Sequence, residues 1–294
     1  MKKSIFKASF EESLNLEDDG FLQYQKQDYY NKLGKAFKKG KPSFWFGIKT
    51  FILSLLFPIG ANFMLLAVTL SLQNSDPKDL RLPVSQYPLL TVELYLICLL
   101  IWLLLVLMGK LFKRTFILPY RYRFHIITFT IWFMFEFNLL AITISLPMLS
   151  IWGILVFFGL LVFLAYVMLR TELRSLKKRM YGEVKLPTLQ DKIAKGIAIY
   201  GAGILGLAVI VNYIFKAFSI NFSSSITVFG LFICWILLNI GLIAIIVFLE
   251  FPFFLEGYYK WKYPEEYREW EGKSVEEWYG KKYLKKHKEL LKNE

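Results

Sequence analysis

Histidine and cysteine are scarce in this sequence: each occurs only twice among 294 residues. Cys98 and Cys234 both lie within apolar runs, so we expect buried free thiols and no disulfide framework. His125 and His287 have no neighbouring ligands at the spacing that binds a metal, so neither a metal site nor a cofactor is expected. The phosphate-binding P-loop, HExxH and GxSxG motifs are also missing from the sequence. These absences disfavour an enzyme.

Charge is sparse as well. Only 20% of the residues are Asp, Glu, Lys or Arg, whereas 56% are hydrophobic. The apolar residues form unbroken runs of about 20 residues, where a transmembrane β-barrel would have short alternating segments. We therefore expect an all-α, polytopic membrane protein. The net charge of +13 does not indicate nucleic-acid binding, because the basic residues flank the apolar runs and form no separate basic domain.

Six apolar runs are long enough to cross a bilayer as helices, at ~1.5 Å of rise per residue. We predict a six-helix transmembrane bundle with spans at about 44–72, 89–108, 124–146, 148–169, 197–215 and 226–249. Pro58 predicts a kink in the first span, with Asn62 close enough to satisfy a freed backbone group. The turn between the third and fourth spans is expected at 145–147, and the sixth span is expected to end at Glu250 and Pro252.

The spans divide the chain into a leader (1–42), a transmembrane domain (43–250) and a charged, aromatic tail (251–294). The leader lacks the apolar core and cleavage site of a signal peptide, so none is expected. Its apolar residues from 21 to 37 recur at the helical period opposite lysines, which predicts an amphipathic interfacial helix. A loosely ordered basic leader is the alternative. In the tail, Ser274 and Glu277 predict a capping box, and the aromatic residues predict either an interfacial belt or a docking surface.

Lysine and arginine are distributed very unevenly between the two ends of the spans. All but three of them lie in the N-terminal region, in the loops 110–123 and 170–195, or in the tail; the exceptions are Lys78, Arg81 and Lys216. The positive-inside rule then places both termini in the cytoplasm of a multi-pass cell-membrane protein. The lipid partner would be a bilayer with an anionic inner leaflet.

One carboxylate, Glu136, lies near the middle of the third span. An ionisable group at that depth is costly and by default suggests function. It should be protonated or paired with a donor, because desolvation disfavours its charged form. Candidate polar neighbours within the spans are Asn138, Asn62, Asn212 and Asn239. Our hypothesis is a proton- or substrate-linked site. The alternative is a neutral acid that joins helices by hydrogen bonds.

Small residues recur every four positions along the fifth span. This stripe consists of Ala194, Ala198, Ala202 and Gly206. Small residues let helices approach closely in lipid, so we predict that the fifth span is the central packing helix. The GxGxxG pattern at 201–206 is interpreted in the same way, because no strand precedes it and a dinucleotide site needs one.

Six spans, both ends inside and an amphipathic helix before the first span resemble the membrane subunits of bacterial ABC-2 export transporters. The likeness is one of topology, since no motif is shared. It implies a permease-like subunit that works with a separate cytoplasmic ATPase. The expected contact is the basic loop containing Lys110, Lys113, Arg114, Arg121 and Arg123. The alternative is a membrane immunity or accessory protein against a secreted toxin or bacteriocin, which needs only a surface complementary to its partner.

Overall fold

The computed structural model describes residues 4–17, 23, 26–27, 31, 44–78, 80, 84–109, 111, 114–182 and 224–293. Within these ranges the regular structure is entirely helical, without strands. Four helices there are long and apolar enough to cross a membrane. The protein is therefore a helical membrane protein. The predicted leader helix lies almost wholly outside the described residues, and so do the fifth span and its small-residue stripe.

We number the helices in chain order. They are α1 (Phe10–Leu14), α2 (Phe44–Asn74), α3 (Val92–Gly109), α4 and α5 (the arms 118–149 and 151–180 of Leu118–Met180), α6 (Ser224 to Lys262), α7 (Pro264–Trp270), α8 (Val275–Tyr279) and α9 (Lys281–Leu284). Short 3₁₀ turns occupy Thr115–Ile117 and Lys288–Asn293. Much of the apolar surface of α2 and α3 is exposed, as expected for helices that face lipid.

A π-helical turn, Leu55–Gly60, interrupts α2 around Pro58. Proline lacks the N–H that an α-helical ladder needs, and the wider turn accommodates the loss. The side-chain amide of Asn62 donates to the Pro58 carbonyl over 2.7 Å. Pro58 therefore coincides with a π-helical turn, where the sequence predicts a kink, and Asn62 bonds the carbonyl of Pro58 itself and not the Ser54 carbonyl that the proline leaves without its α-helical donor.

The long helix Leu118–Met180 is a hairpin of two arms. Ser150, with φ of 58°, is non-helical and divides it into α4 and α5. A straight helix of this length would separate its ends by roughly 90 Å, yet Phe116 and Met180 belong to one hydrophobic core. The prediction of a turn at 145–147 was wrong by a few residues. Pro147 removes only one backbone donor, which the helix tolerates, whereas the reversal occurs at the residue that leaves the helical region.

Helix α6 extends beyond its predicted end at Glu250 and Pro252. A π-helical turn, Ile245–Glu250, precedes Pro252, and the helix continues to Lys262. Proline is tolerated here because the wider turn before it needs no N–H at that position. The charge of Glu250 is compensated by Arg123 of α4, so it does not end the helix either.

Residues from both termini form one core with the ends of the hairpin. We call this the terminal assembly; its buried side chains are Ile5, Ala8, Leu16, Phe116, Leu176, Met180, Leu255, Tyr259, Tyr267, Val275, Trp278, Tyr279 and Leu284. The N-terminal segment is attached by hydrogen bonds, including one of 2.9 Å between the hydroxyls of Ser13 and Tyr267. Two capping boxes order its short helices: Ser9 with Glu12, and the predicted pair Ser274 with Glu277, which is confirmed.

The opposite end of the bundle is closed by the segment before α3. The backbone N–H of Ser85 donates to the Thr143 carbonyl over 3.0 Å, and that of Leu89 donates to the Thr143 hydroxyl over 3.2 Å. Leu90 is completely buried next to α4. The bundle therefore has two distinct ends. The terminal assembly carries most of the described lysines and arginines, whereas the opposite end carries Lys78.

Candidate functional site

Glu136 lies on α4 and is completely shielded from solvent. Its Oε1 atom accepts a hydrogen bond of 2.6 Å from Trp132 Nε1, one helical turn earlier. Its Oε2 atom is buried and has no hydrogen-bond partner among the described residues. A buried carboxyl group with one uncommitted oxygen is costly unless a proton or a ligand satisfies it. This makes Glu136 the centre of the candidate site.

Trp132, which bonds this carboxyl group, packs against two aromatic rings of α3. The ring of Trp132 lies 6.0 Å from that of Tyr95 and 5.8 Å from that of Trp102, between centroids. Glu136 is also within electrostatic reach of the Tyr95 hydroxyl and the Cys98 thiol. These side chains position the acid between α3 and α4. The sequence drew attention to Glu136 but not to the aromatic residues, which are spread over two apolar runs.

Asn62 reaches the same region from α2. It is completely buried and lies on the helix face that also presents Leu65, which packs with Tyr95 and Trp132 in one cluster. The Tyr95 hydroxyl donates to the carbonyl of Ile59, one turn before Asn62, over 3.5 Å. Because the side-chain amide of Asn62 is committed to Pro58, its Oδ1 atom is left buried without a donor among the described residues.

The remaining predicted polar residues form a second cluster on the other side of α4. Positions 136 and 138 differ by about 200° around a helix, so their side chains diverge. Asn138 Nδ2 donates to Asn239 Oδ1 over 3.0 Å, and Asn239 Nδ2 donates back to Asn138 Oδ1 over 2.9 Å. Trp235 Nε1 also donates to Asn138 Oδ1. The structure thus separates Glu136 from Asn138 and Asn239; Asn212 lies outside the described residues.

Asn138→Leu and Asn239→Leu are each expected to cost about 0.6–2 kcal/mol of stability, because each removes the same pair of interhelical hydrogen bonds. The double variant should cost little more than the worse single variant, since one interaction is lost only once. Unfolding of the detergent-solubilised protein by a denaturing detergent measures these values. Thr130→Val is the control, because the Thr130 hydroxyl donates within its own helix, to the Ile126 carbonyl. Strictly additive losses would contradict a shared interaction.

The three described arginines of the proposed coupling loop all interact with other residues of the same protein. Arg123 makes a two-pronged ion pair with Glu250, the Nε–Oε2 bond measuring 3.2 Å. The guanidinium of Arg114 lies 5.2 Å from the centre of the Tyr283 ring. Arg121 Nη1 donates to the Gly109 carbonyl over 3.5 Å. Lys110 and Lys113 lie outside the described residues. Arg114 and Arg123 therefore hold the tail and α6 against the start of α4.

A buried ionic network, not predicted from the sequence, lies in the terminal assembly. Lys260 Nζ is 3.1 Å from Glu256 Oε1 and 3.7 Å from Glu17 Oε1, and it also pairs with Glu271. Lys26 pairs with both Glu17 and Glu256. Only the spacing of Glu256 and Lys260, four residues apart on a helix, was visible in the sequence. The other partners come from distant parts of the chain.

Stability is expected to fall in acid through Glu271. Burial raises the pKa of this carboxyl, but the Lys260 and Lys273 ammonium groups lower it more, so the pKa lies below the ordinary 4.5. A depressed pKa gives stability that is fully present above the ordinary value and is lost as pH falls through the depressed one. Thermal unfolding in detergent should show this loss below about pH 4.5, and Glu271→Gln should show a smaller one, because the Glu265 carboxyl, whose pKa is also lowered, remains. An identical acid loss in the variant would contradict the assignment.

Glu17 belongs to the same network, but its pKa is shifted in the opposite direction from that of Glu271. Burial raises its pKa, although Lys26 and Lys260 oppose the shift. Its contribution is therefore present below the ordinary glutamate pKa and is lost as pH rises through the raised value. Glu17→Gln should accordingly leave the acid loss in place.

Neither a metal site nor similarity to a known protein adds to the description of the Glu136 site. In the part of the chain that the structure describes, His, Cys, Asp and Glu form no group of three that could hold a metal ion. The chain matches no known protein family, no curated protein and no solved structure. The candidate site is therefore defined by the surroundings of Glu136 alone.

Proposed function

We propose that this chain is a permease-like membrane subunit of a transport or export system, in which Glu136 binds a proton or a polar substrate group. The observation that carries the proposal is the completely buried carboxyl whose Oε2 atom lacks a hydrogen-bond partner among the described residues. An unsatisfied buried oxygen is costly, and an ionisable group inside a membrane span is by default a candidate functional site, so this oxygen supports binding of a proton or a donor group. Tyr95 and Cys98 of α3 belong to the same hydrophobic cluster as Trp132, which bonds Glu136.

In this proposal the chain crosses the cell membrane six times, with both termini in the cytoplasm. The fifth crossing would be the apolar run at 197–215. The contact between the N-terminal segment and the tail supports placing both termini on one side. The concentration of basic residues at that end supports the cytoplasmic side, through the positive-inside rule and attraction to an anionic leaflet.

The first test is proton flux through liposomes that contain the purified protein and a trapped pH-sensitive dye. Under an imposed pH gradient, we expect wild-type vesicles to equilibrate faster than empty ones and Glu136→Gln vesicles to match the empty ones. The neutral amide can still accept the Trp132 hydrogen bond, so the variant should insert and fold. Glu93→Gln is the matched control, because it makes the same change in an exposed acid near the start of α3. Equal flux through wild type and Glu136→Gln would refute the proposal.

A membrane immunity or accessory protein is the second candidate. The observation that favours it is the engagement of Arg114 and Arg123 within the chain itself, which leaves these two arginines less available to an ATPase. Co-purification from mildly solubilised native membranes separates the two candidates. A stoichiometric ATPase would support the permease-like subunit. A secreted toxin, or a toxin-bound receptor, would support the accessory protein.

A further inference from the structure

The surroundings of Glu136 also indicate what kind of ligand it would take. Tyr95, Trp102 and Trp132 present three adjacent aromatic rings between α3 and α4, and all three side chains are buried. The faces of Trp and Tyr rings attract cations, most strongly where water is excluded. Trp132 hydrogen-bonds the Glu136 carboxyl, and the rings of Tyr95 and Trp102 pack on Trp132, so a carboxyl group and an aromatic cluster together form an environment suited to a positive charge.

Hydrogen-bonding capacity points the same way. Glu136 Oε2 and Asn62 Oδ1 are buried acceptors without a donor among the described residues. Both side chains are completely shielded from solvent. Two uncommitted acceptors call for a ligand that donates hydrogen bonds. Trp102 Nε1 is a buried donor without a described partner, and a hydroxyl group on the same ligand would satisfy it.

The protein supplies little positive charge at this depth. The sequence contains no lysine or arginine from 50 to 77, from 92 to 109 or from 124 to 169, which covers most of α2, all of α3 and most of the hairpin. A carboxylate in an apolar interior requires either a proton or a cation. When the proton leaves, a cation must come from outside the chain.

We propose, building on the proposed function, that the Glu136 site binds a small organic ammonium ion between α2, α3 and α4. The ammonium group would pair with Glu136 Oε2 and donate to Asn62 Oδ1, while its carbon substituents would contact the rings of Tyr95, Trp102 and Trp132. Proton and ammonium ion would then compete for one carboxylate, which is the property a proton-exchanging permease requires.

The test is binding of four ammonium ions of increasing size to the full-length protein in mild detergent, by calorimetric titration at neutral pH. The probes are methylammonium, ethylammonium, ethanolammonium and diethylammonium, each of which carries N–H donors. At least one should bind the wild type. Glu136→Gln should weaken that binding at least ten-fold, and Trp102→Leu should weaken it several-fold. Trp152→Leu, which changes an exposed tryptophan next to the Ser150 break, should leave it unchanged.

Circular dichroism and gel filtration establish that each variant is folded. If Glu136→Gln fails to fold, the pair Trp102→Leu and Trp102→Phe decides, because phenylalanine retains an aromatic face and should restore part of the binding. The proposal is wrong if none of the probes binds, or if binding is equal in wild type and the folded variants.

These outcomes are distinct from those of the flux assay. Glu136-dependent proton flux without ammonium binding would leave the proposed function standing and reject the substrate class. Ammonium binding without Glu136-dependent proton flux would reject the proposed function and leave the substrate class standing.

Discussion

Lys260→Met is expected to destabilise the protein by about 3–5 kcal/mol, the usual cost of removing one partner from a buried ion pair. The Lys260 side chain is only 8% exposed, and its ammonium group pairs with Glu256, Glu271 and Glu17. Methionine preserves the apolar stem, so the loss isolates the charge. Without that charge, the completely buried Glu256 would keep Lys26 as its cationic partner among the described residues. Unfolding in detergent measures the effect.

A surface pair in the same assembly provides the control for Lys260. Lys281 and Glu276 are 3.1 Å apart, but their side chains are 80% and 55% exposed. Water screens such a pair, so Lys281→Met should cost no more than about 1 kcal/mol. Adding Glu256→Gln to Lys260→Met should recover part of the loss, because the stranded carboxylate is removed. Equal costs for the Lys260 and Lys281 variants would contradict a stabilising network.

The long helices were predictable because each one appears in the sequence as an unbroken apolar run. Their ends were harder to place. Pro147 and Pro252 are strong signals for breaks, yet both lie within helical segments, while the reversal occurs at Ser150. A proline removes one donor, and a wider turn or a lipid-facing position absorbs that loss without ending the helix. Local sequence signals therefore predicted the presence of these helices better than their lengths.

Of the candidate site, the polar residues Glu136 and Asn62 were named from the sequence, whereas the aromatic residues were not. Glu136 stands out because an apolar run surrounds it, whereas nothing local marks Tyr95 or Trp102 as its neighbours. Asn138 was grouped with Glu136 because they are close in sequence, but two residues along a helix point to nearly opposite sides. The ionic network around Lys260 was missed for a similar reason. It joins Glu17, near the N-terminus, to Glu271 in the tail, and only the folded chain brings them together.

The two clusters of polar residues differ in what they leave unsatisfied. Asn138 of α4 and Asn239 of α6 hydrogen-bond to each other, an arrangement that holds the two helices together. Glu136 and Asn62 each retain an uncommitted oxygen, which suits a site that changes its occupant. In the terminal assembly, the buried Glu256 carboxylate is paired with the ammonium groups of Lys26 and Lys260, which the chain itself supplies. This difference supports the proposal that the terminal assembly stabilises the protein and that the face of α4 carrying Glu136 binds a ligand.

Gly257→Leu is expected to destabilise the protein by more than about 3 kcal/mol, beyond the ordinary cost of an overpacked core. A Cβ atom at Gly257 would lie 2.7 Å from Cδ1 and 2.9 Å from Cγ of the Tyr120 ring. That ring cannot move aside easily, because it is buried and packs against Phe253 at 4.6 Å between centroids. Leucine would force α6 away from the start of α4, where the terminal assembly joins the bundle. Unfolding in detergent measures the loss.

Two comparisons separate this close packing from the general effect of a glycine in a helix. A Cβ atom at Gly230, also in α6, would meet nothing within 4 Å, so Gly230→Ala should stabilise by up to about 1 kcal/mol through helix propensity. Gly257→Ala gains the same propensity but meets the Tyr120 ring, so its net effect should be destabilising. Tyr120→Ala removes the obstructing ring, and in that background Gly257→Ala should lose most of its cost. An undiminished cost there would mean that the glycine serves the helix backbone and not the contact between α4 and α6.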